Sequence, residues 1–322
     1  MAYTTGTTQD TNTLAGILRI NDANLSDVEF NDIIQPTALL QALPFVAASR
    51  GTQHSWTVRV TEPGSSFREL NVGIANAAGT EKTVTATLKL LDASFTRDKA
   101  TLLSPRMGLE QYLQRETMLS LNGAMSNIEK QLVLGTDSKA TGFDGLSDIL
   151  SIWGDMGEDV GGAGGTRCYM LSLAPDRIAG VVGSSQIGQE GNIDVGAPYG
   201  VTVTDDTGTY SANRVDILGW MGLQIAGAYS GAVAFNIDGT STHTLDEDLL
   251  AGLYTKFPTQ HAGAVNAIVM SRTGLKQLRD SMVTDLIPSP PFPTSWGGAG
   301  RPIPIITSDA VADDDSTEVE ST

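Results

Sequence analysis

The sequence predicts an α+β fold in which a long two-stranded β-hairpin and one long helix precede a mixed α/β domain. Two segments that alternate apolar and polar residues, 54–60 and 84–90, predict the hairpin. An apolar repeat that ends at a glycine predicts the long helix. Strand–helix units after Phe143 predict the α/β domain.

The hairpin is expected to have an extended tip. Roughly twenty residues without a core pattern separate its two strands, and a loop of that length is usually functional. The loop contains Pro63, Gly64, Gly73 and Gly79. An isolated two-stranded ribbon is only marginally stable in water. We therefore expect the ribbon to lie across a neighbouring subunit.

Polar and short helical segments precede the hairpin. Residues 1–22 predict an extended polar arm. The capping box at 26–29 predicts a short helix that ends near Gln35. A second short helix is predicted between Pro36 and Leu43, because Pro44 ends it.

The long helix has a start signal and a stop signal. Ser104 is a suitable N-cap and Pro105 a suitable first helical residue. Gly135 stands where a left-handed residue would close the helix, and Gly123 is the one weak point inside it. About thirty residues at ~1.5 Å each give a rod of roughly 45 Å. The expected apolar face consists of Tyr112, Leu113, Leu121, Met125, Ile128 and Leu132.

The α/β domain is expected to contain two strand–helix units. In the first, a strand at 169–173 leads into a helix through Ile178 and Val181. In the second, a strand at 267–270 leads through Ser271 into a helix. The other predicted elements are a buried strand at 215–226, a helix at 245–254 capped by Thr244, a rigid turn at 288–293, a final strand at 302–307 and an acidic tail.

Composition and charge exclude several classes of protein. The net charge of −17 argues against specific binding of duplex DNA, although an acidic wall would let packed DNA slide. No apolar run is long enough for a membrane span, and no signal peptide is visible. The single cysteine, Cys168, excludes an internal disulfide and is expected to be a small buried residue.

A search for chemistry predicts no catalytic, cofactor-binding or metal-binding residues. The three histidines, His54, His243 and His261, show no metal-ligand spacing. No phosphate-binding glycine loop and no nucleophile elbow occurs. The acidic residues 246–248 are expected to form the first turn of a helix.

The order of these parts resembles the HK97-type capsid fold of tailed-bacteriophage major capsid proteins, and in detail the coat proteins of short-tailed phages (podoviruses). Residues 67–74 resemble the extended hairpin loop, or E-loop, of phage coat proteins. Residues 267–273 are similar to a strand–helix junction of the short-tailed phages, with Ser271 where asparagine is usual. Residues 300–311 resemble their closing strand.

The resemblance implies a division of the chain into five parts. These are an N-arm (1–50), the E-loop hairpin (51–100), a spine helix with the P-domain (101–145), a mixed α/β A-domain (146–300) and a closing strand with the acidic tail (301–322).

The resemblance also implies a function and partners. It implies a non-enzymatic, self-assembling structural protein whose pentamers and hexamers form an icosahedral shell around the double-stranded DNA genome. The expected partners are a separate scaffolding protein, a portal protein, a decoration protein in some phages, and packaged DNA as a non-specific neighbour. Assembly is expected in the host cytoplasm, without a membrane, and the protein resides in the virion.

The expected inter-subunit contacts lie at the hairpin tip, at Phe67, Arg68, Glu69 and Leu70. Some relatives link subunits covalently through a lysine of the E-loop. Lys82 and Lys89 are candidates only by location, and we expect no covalent link.

Three other hypotheses about the class of protein remain open at this point. An encapsulin-like shell shares the fold but encloses protein cargo. A β-rich adhesin or tail-associated binding protein would show strand repeats and no spine helix. An α/β-hydrolase-like enzyme would need a nucleophile and a base in one pocket.

Overall fold

The computed structural model of the chain describes residues 37–73, 78–103, 109–150, 155–162, 164–183, 193–205, 208–240, 242–282, 290–297 and 302–313. Several predictions lie outside these residues. They are the polar arm, the helix after the capping box at 26–29, the N-cap at Ser104 and Pro105, the first part of the turn at 288–293, and the acidic tail beyond Asp313.

The described residues contain seven α-helices and sixteen strands. The helices are α1 (Ala38–Ala42), α2 (Lys99–Leu103), α3 (Leu109–Leu134), α4 (Leu146–Leu150), α5 (Glu247–Thr255), α6 (Thr259–Ala262) and α7 (Arg272–Ser281). The strands are β1 (Phe45–Ala47), β2 (Gln53–Thr61), β3 (Thr80–Thr87), β4 (Lys89–Asp92), β5 (Phe95–Asp98), β6 (Gly157–Asp159), β7 (Thr166–Leu171), β8 (Ile178–Val182), β9 (Asp194–Val195), β10 (Tyr199–Asp205), β11 (Gly208–Val215), β12 (Ile217–Ile225), β13 (Gly231–Ile237), β14 (Ala267–Met270), β15 (Ser295–Trp296) and β16 (Ile303–Thr307).

The chain divides into two compact units, and neither is continuous in sequence. The first comprises residues 1–35, 91–125 and 193–219. The second comprises residues 36–90, 126–192 and 220–322. The five-part division implied by the resemblance stays a prediction.

The first unit is built on a three-stranded antiparallel sheet in the order β10-β11-β5. Its core combines residues of α2 and α3 with the last residue of β11 and the first residue of β12: Leu102, Tyr112, Leu113, Val215 and Ile217. Beside this core, Arg97 donates from Nε and Nη2 to one oxygen of Glu116, at 3.1 and 2.6 Å. Glu116 is 5% exposed, so this pair provides the charge compensation that a buried carboxylate needs.

The second unit contains a six-stranded mixed sheet in the order β15-β16-β14-β7-β13-β6. Strands β7 and β14 pair antiparallel at its centre, and all four residues of β14 are buried. Such short apolar runs are typical of strands covered on both faces. Helices α5 and α7 pack on this sheet through Leu250, Leu253 and Leu278. These strands and helices confirm the second predicted strand–helix unit.

The first predicted strand–helix unit is wrong in its second half. Residues Ile178–Val182 form strand β8 instead of a helix, and all five are buried. Strand β8 pairs in parallel with β1 and antiparallel with the end of β12. Gly180 lies against the ring of Phe45, where a side chain would overlap it. A five-residue apolar run fits a buried strand or a helix equally well, and the two partner strands decide between them.

One predicted helix cap is also wrong. Helix α5 begins after Asp246, whose side chain accepts a hydrogen bond of 2.7 Å from the Leu249 backbone N–H, so Asp246 replaces Thr244 as the cap. The cap of α7 is Ser271, as the sequence predicts, and its hydroxyl accepts from Gly274 N–H at 3.1 Å. None of the described helices is both long and apolar enough to cross a membrane.

Helix α3 ends at Gly135, which has a φ of +64°. This confirms the predicted left-handed residue. The turn after it is fixed by the side chains of Gln131 and Asp148. Gln131 donates to the carbonyl oxygens of Gly135 and Phe143, both at 2.7 Å, and Asp148 accepts from the backbone and hydroxyl of Thr136, both at 2.8 Å.

Candidate assembly surface

The predicted hairpin is confirmed as the antiparallel pair β2–β3, but its second strand ends at Thr87, and residues Lys89–Asp92 form β4 in another sheet. Trp56 lies opposite Val84, and Ser55 opposite Thr85. Because side chains alternate along a strand, the ribbon has one apolar and one polar face. The polar face carries cross-strand contacts such as the Ser55–Thr85 hydroxyl pair at 3.0 Å. The ribbon's apolar face consists of Trp56, Val58, Val60, Val84 and Ala86.

The base of the hairpin is attached to the body of the second unit through His54. Its Nδ1 accepts from the Ser49 N–H at 3.2 Å, so the proton resides on Nε2 and is donated to Gln224 Oε1 at 2.8 Å. Gln224 in turn donates to the Pro175 carbonyl oxygen at 3.2 Å. The His54 ring also stacks on Trp56, with centroids 5.6 Å apart. This chain of contacts orients the ribbon at its root.

A groove of about 760 Å³ runs along the apolar face of the ribbon. Phe143, Ile149, Leu223 and Ile225 line its opposite wall. The Trp56 indole N–H is buried there and meets no acceptor among the described residues. The apolar face of the ribbon is therefore only partly covered by its own subunit.

The tip of the hairpin contains the four residues that the sequence singled out. Phe67 and Leu70 are 108% and 94% exposed, so neither side chain has an apolar neighbour to cover it. Arg68 and Glu69 are exposed as well. The tip is shaped locally: the Val72 N–H bonds to the Glu69 carbonyl oxygen at 3.3 Å, and the Arg68 guanidinium donates to the Val72 carbonyl oxygen at 3.2 Å. The four consecutive residues thus lie on and directly before the turn that the Val72–Glu69 bond closes.

The sequence matches the family described as Major capsid protein GP7 over residues 30–182. The solved structure of bacteriophage Epsilon15 is similar to this chain with a TM-score of 0.60 and 15% identity, over 98% of this chain and 99% of that one. These matches indicate a tailed-phage major capsid protein. Its fold is the HK97-type capsid fold, and its copies assemble into the shell of the virion.

Other solved structures are similar over a smaller part of the capsid protein. The capsid of Myoviridae phage XM1 has a TM-score of 0.42 and 12% identity, over 69% of this chain and 98% of that one. An encapsulin complex from Synechococcus elongatus has a TM-score of 0.47 and 11% identity, over 72% and 98%. No curated protein is significantly similar in sequence.

In the part of the chain that the structure describes, His243, His261 and Cys168 show no sign of a metal site or of a reactive nucleophile. No group of three metal-ligating side chains occurs among the described residues. His243 lies 3.6 Å from Asp238, and His261 stacks on Tyr229 at 5.5 Å between ring centroids. Cys168 is fully buried in β7, and burial raises the pKa of its thiol to about 12. The prediction of a small buried cysteine is confirmed.

Sequence reasoning missed a buried carboxylate of the capsid protein that connects three segments of the chain. Glu129 of α3 is 3% exposed, accepts the Leu40 N–H at 3.2 Å and accepts the Ser308 hydroxyl. It thereby joins α1, α3 and the segment after β16. Burial raises the pKa of Glu129, and the hydrogen bonds from Ser308 and Leu40 oppose that shift. A charged residue directly after Ile128, inside the apolar stripe of the helix, was the available signal.

Proposed function

We propose that this capsid protein forms, as pentamers and hexamers, the icosahedral shell that encloses the double-stranded DNA genome of a short-tailed phage. Its role is structural, and it catalyses no reaction. The observation that carries the proposal is the hairpin tip, where Phe67 and Leu70 extend into solvent at the end of a ribbon. A second copy of the chain supplies the cover that the subunit lacks.

The free energy of this contact comes mainly from the two apolar side chains. Full burial of a leucine or phenylalanine side chain contributes about 1.5–3 kcal/mol. Phe67 and Leu70 together therefore contribute on the order of 3–6 kcal/mol per tip. In a closed shell every subunit repeats this contact, so a modest energy per tip is multiplied over the particle.

Arg68 and Glu69 orient the contact more than they strengthen it. Both are exposed on the same turn as the two apolar residues. Exposed ion pairs contribute only about 0–1 kcal/mol, but misplaced like charges oppose the wrong docking geometry. We propose that both residues pair with opposite charges on the neighbouring subunit.

The charge of the chain supports DNA as a non-specific neighbour. A wall with a net charge of −17 per subunit repels phosphates and leaves the packed genome free to move. The further partners proposed are a scaffolding protein, a portal protein and a decoration protein on some shells, and assembly takes place in the host cytoplasm. These proposals rest on the capsid assignment.

The test is assembly of a tip variant, Phe67→Ser with Leu70→Ser, produced together with the scaffolding protein. The expected result is folded, unassembled subunits by sedimentation velocity and negative-stain electron microscopy, whereas the wild type gives closed shells of uniform diameter. Thr57→Ser is the matched control, because Thr57 is exposed on the polar face of the same ribbon. The control is expected to form shells.

Three outcomes would contradict the proposal. Shells formed by the tip variant in normal yield would show that Phe67 and Leu70 do not drive assembly. A wild-type chain that stays monomeric with its scaffolding protein would contradict shell formation itself. Shells from infected cells should contain DNA, and protein cargo in its place would indicate an encapsulin-like container.

A further inference from the structure

Helix α7 carries a basic stripe on a strongly acidic chain. Arg272, Lys276 and Arg279 are spaced four and three residues apart, so they lie on one face of the helix. They line a shallow groove of about 540 Å³. Leu275 and the half-exposed ring of Phe292 form its apolar part. The groove thus offers three cations beside an apolar surface.

The segment that precedes the acidic tail already borders this groove. Thr307, the last residue of β16, lines the groove, and two residues later the Asp309 carboxylate lies 3.3 Å from Arg272 Nε. Lys276 is exposed, and none of the described carboxylates forms an ion pair with it. The residues that follow are rich in acid: Asp313, Asp314, Asp315, Glu318 and Glu320, with Val319 between the last two.

We propose that residues 313–320 bind in the α7 groove of their own chain. One of their carboxylates pairs with Lys276, the cation of the stripe that no described carboxylate compensates, and Val319 contacts Leu275 and Phe292. The eight residues extend to about 26 Å, which exceeds the roughly 15 Å length of a ten-residue helix. The Asp309–Arg272 pair forms the first contact of this acidic track.

The charges that line the groove favour an acidic segment over DNA as its occupant. Two of the three cations already have a carboxylate nearby, since Asp309 pairs with Arg272 and Asp280 lies 2.6 Å from Arg279. Binding of duplex DNA requires several uncompensated cations, because each neutralised phosphate contributes separately. A phosphate backbone would also make no favourable apolar contact with the Phe292 ring. Arg279 stacks on that ring at 4.6 Å, which leaves its charge near the groove.

Zero-length carbodiimide coupling of the full chain, read out by mass spectrometry, tests this inference. The expected product is an amide between Lys276 Nζ and a carboxyl group of residues 313–320. Lys256 and Glu158, 2.6 Å apart, provide an internal positive control in the same sample. Lys89, exposed on β4, is the negative control for random coupling to the segment. Lys276→Arg keeps the charge and is expected to lose the product.

Three outcomes would overturn the inference. The first is coupling of Lys256 to Glu158 without any coupling of Lys276 to residues 313–320. The second is a product that joins labelled to unlabelled chains when ¹⁵N and ¹⁴N proteins are mixed, which would make a second copy the occupant. The third is binding of a fluorescent DNA duplex to the full chain that Lys276→Ala weakens while amide substitutions at the five acidic residues leave it unchanged.

Discussion

Two alanine substitutions associated with the same helix should change stability in opposite directions. Gly135 closes α3 with a φ of +64°, a conformation that costs an L-residue about 1–2 kcal/mol. A Cβ there would also overlap the Asp148 carboxylate and the Gly145 backbone nitrogen. Gly123, inside α3, is exposed and has open space around it. Gly123→Ala should therefore stabilise the protein by about 0.5–1 kcal/mol.

The cost of Gly135→Ala follows from the contacts that Asp148 would lose. That carboxylate accepts from the Thr136 N–H and hydroxyl, both at 2.8 Å, and from the Gly145 N–H at 3.1 Å. Disruption of this partly exposed set costs about 2–3 kcal/mol, at the lower end for charge-assisted bonds. With the backbone cost added, Gly135→Ala should destabilise the protein by about 3–5 kcal/mol.

Urea unfolding of the unassembled subunit, followed by far-ultraviolet circular dichroism, measures both values. The reasoning is refuted if Gly135→Ala lies within about 1 kcal/mol of the wild type, or if both variants shift in the same direction. The comparison is informative because the two variants share the substitution and differ only in backbone conformation and surroundings.

Two further predictions concern buried titratable groups. The folded pKa of Glu129 is raised by burial, so its contribution to stability is full below the ordinary glutamate pKa and is lost as pH rises through the folded pKa. The unfolding free energy of wild type minus that of Glu129→Gln should therefore fall as pH increases from 4 to 8, and a flat or rising difference would contradict this. The Cys168 thiol is fully buried and has a pKa of about 12, so it should resist Ellman's reagent at pH 8 until urea unfolds the chain. Rapid stoichiometric labelling of the native protein would disprove its burial.

Elements with a strong local pattern were predictable. The ribbon followed from strict alternation in two segments, and the end of α3 followed from a glycine after an apolar repeat. The hairpin tip was predicted as a candidate contact surface for the same reason, since a long loop without a core pattern has no partner in its own sequence. In each case the deciding interactions join residues that are close along the chain.

Elements whose state depends on distant partners were not predictable. The sequence wrongly predicts a helix at strand β8, because its five apolar residues fit either state until β1 and β12 pair with it. The Arg97–Glu116 pair in the first unit and the bonds from Leu40 and Ser308 to Glu129 in the second likewise require folded neighbours.

The sequence by itself determined the order of ribbon, long helix and α/β domain, and with it indicated the class of protein. Periodicity and capping encode these features within a few residues, where the backbone has few choices. Only the tertiary structure decided how the discontinuous segments combine into two units and which carboxylates are buried. Those outcomes depend on contacts between residues separated by as many as 179 positions, as in the bond from Ser308 to Glu129. The physical reason is that such contacts form only after the intervening chain has lost conformational entropy. No local sequence pattern specifies which distant residue will be the partner.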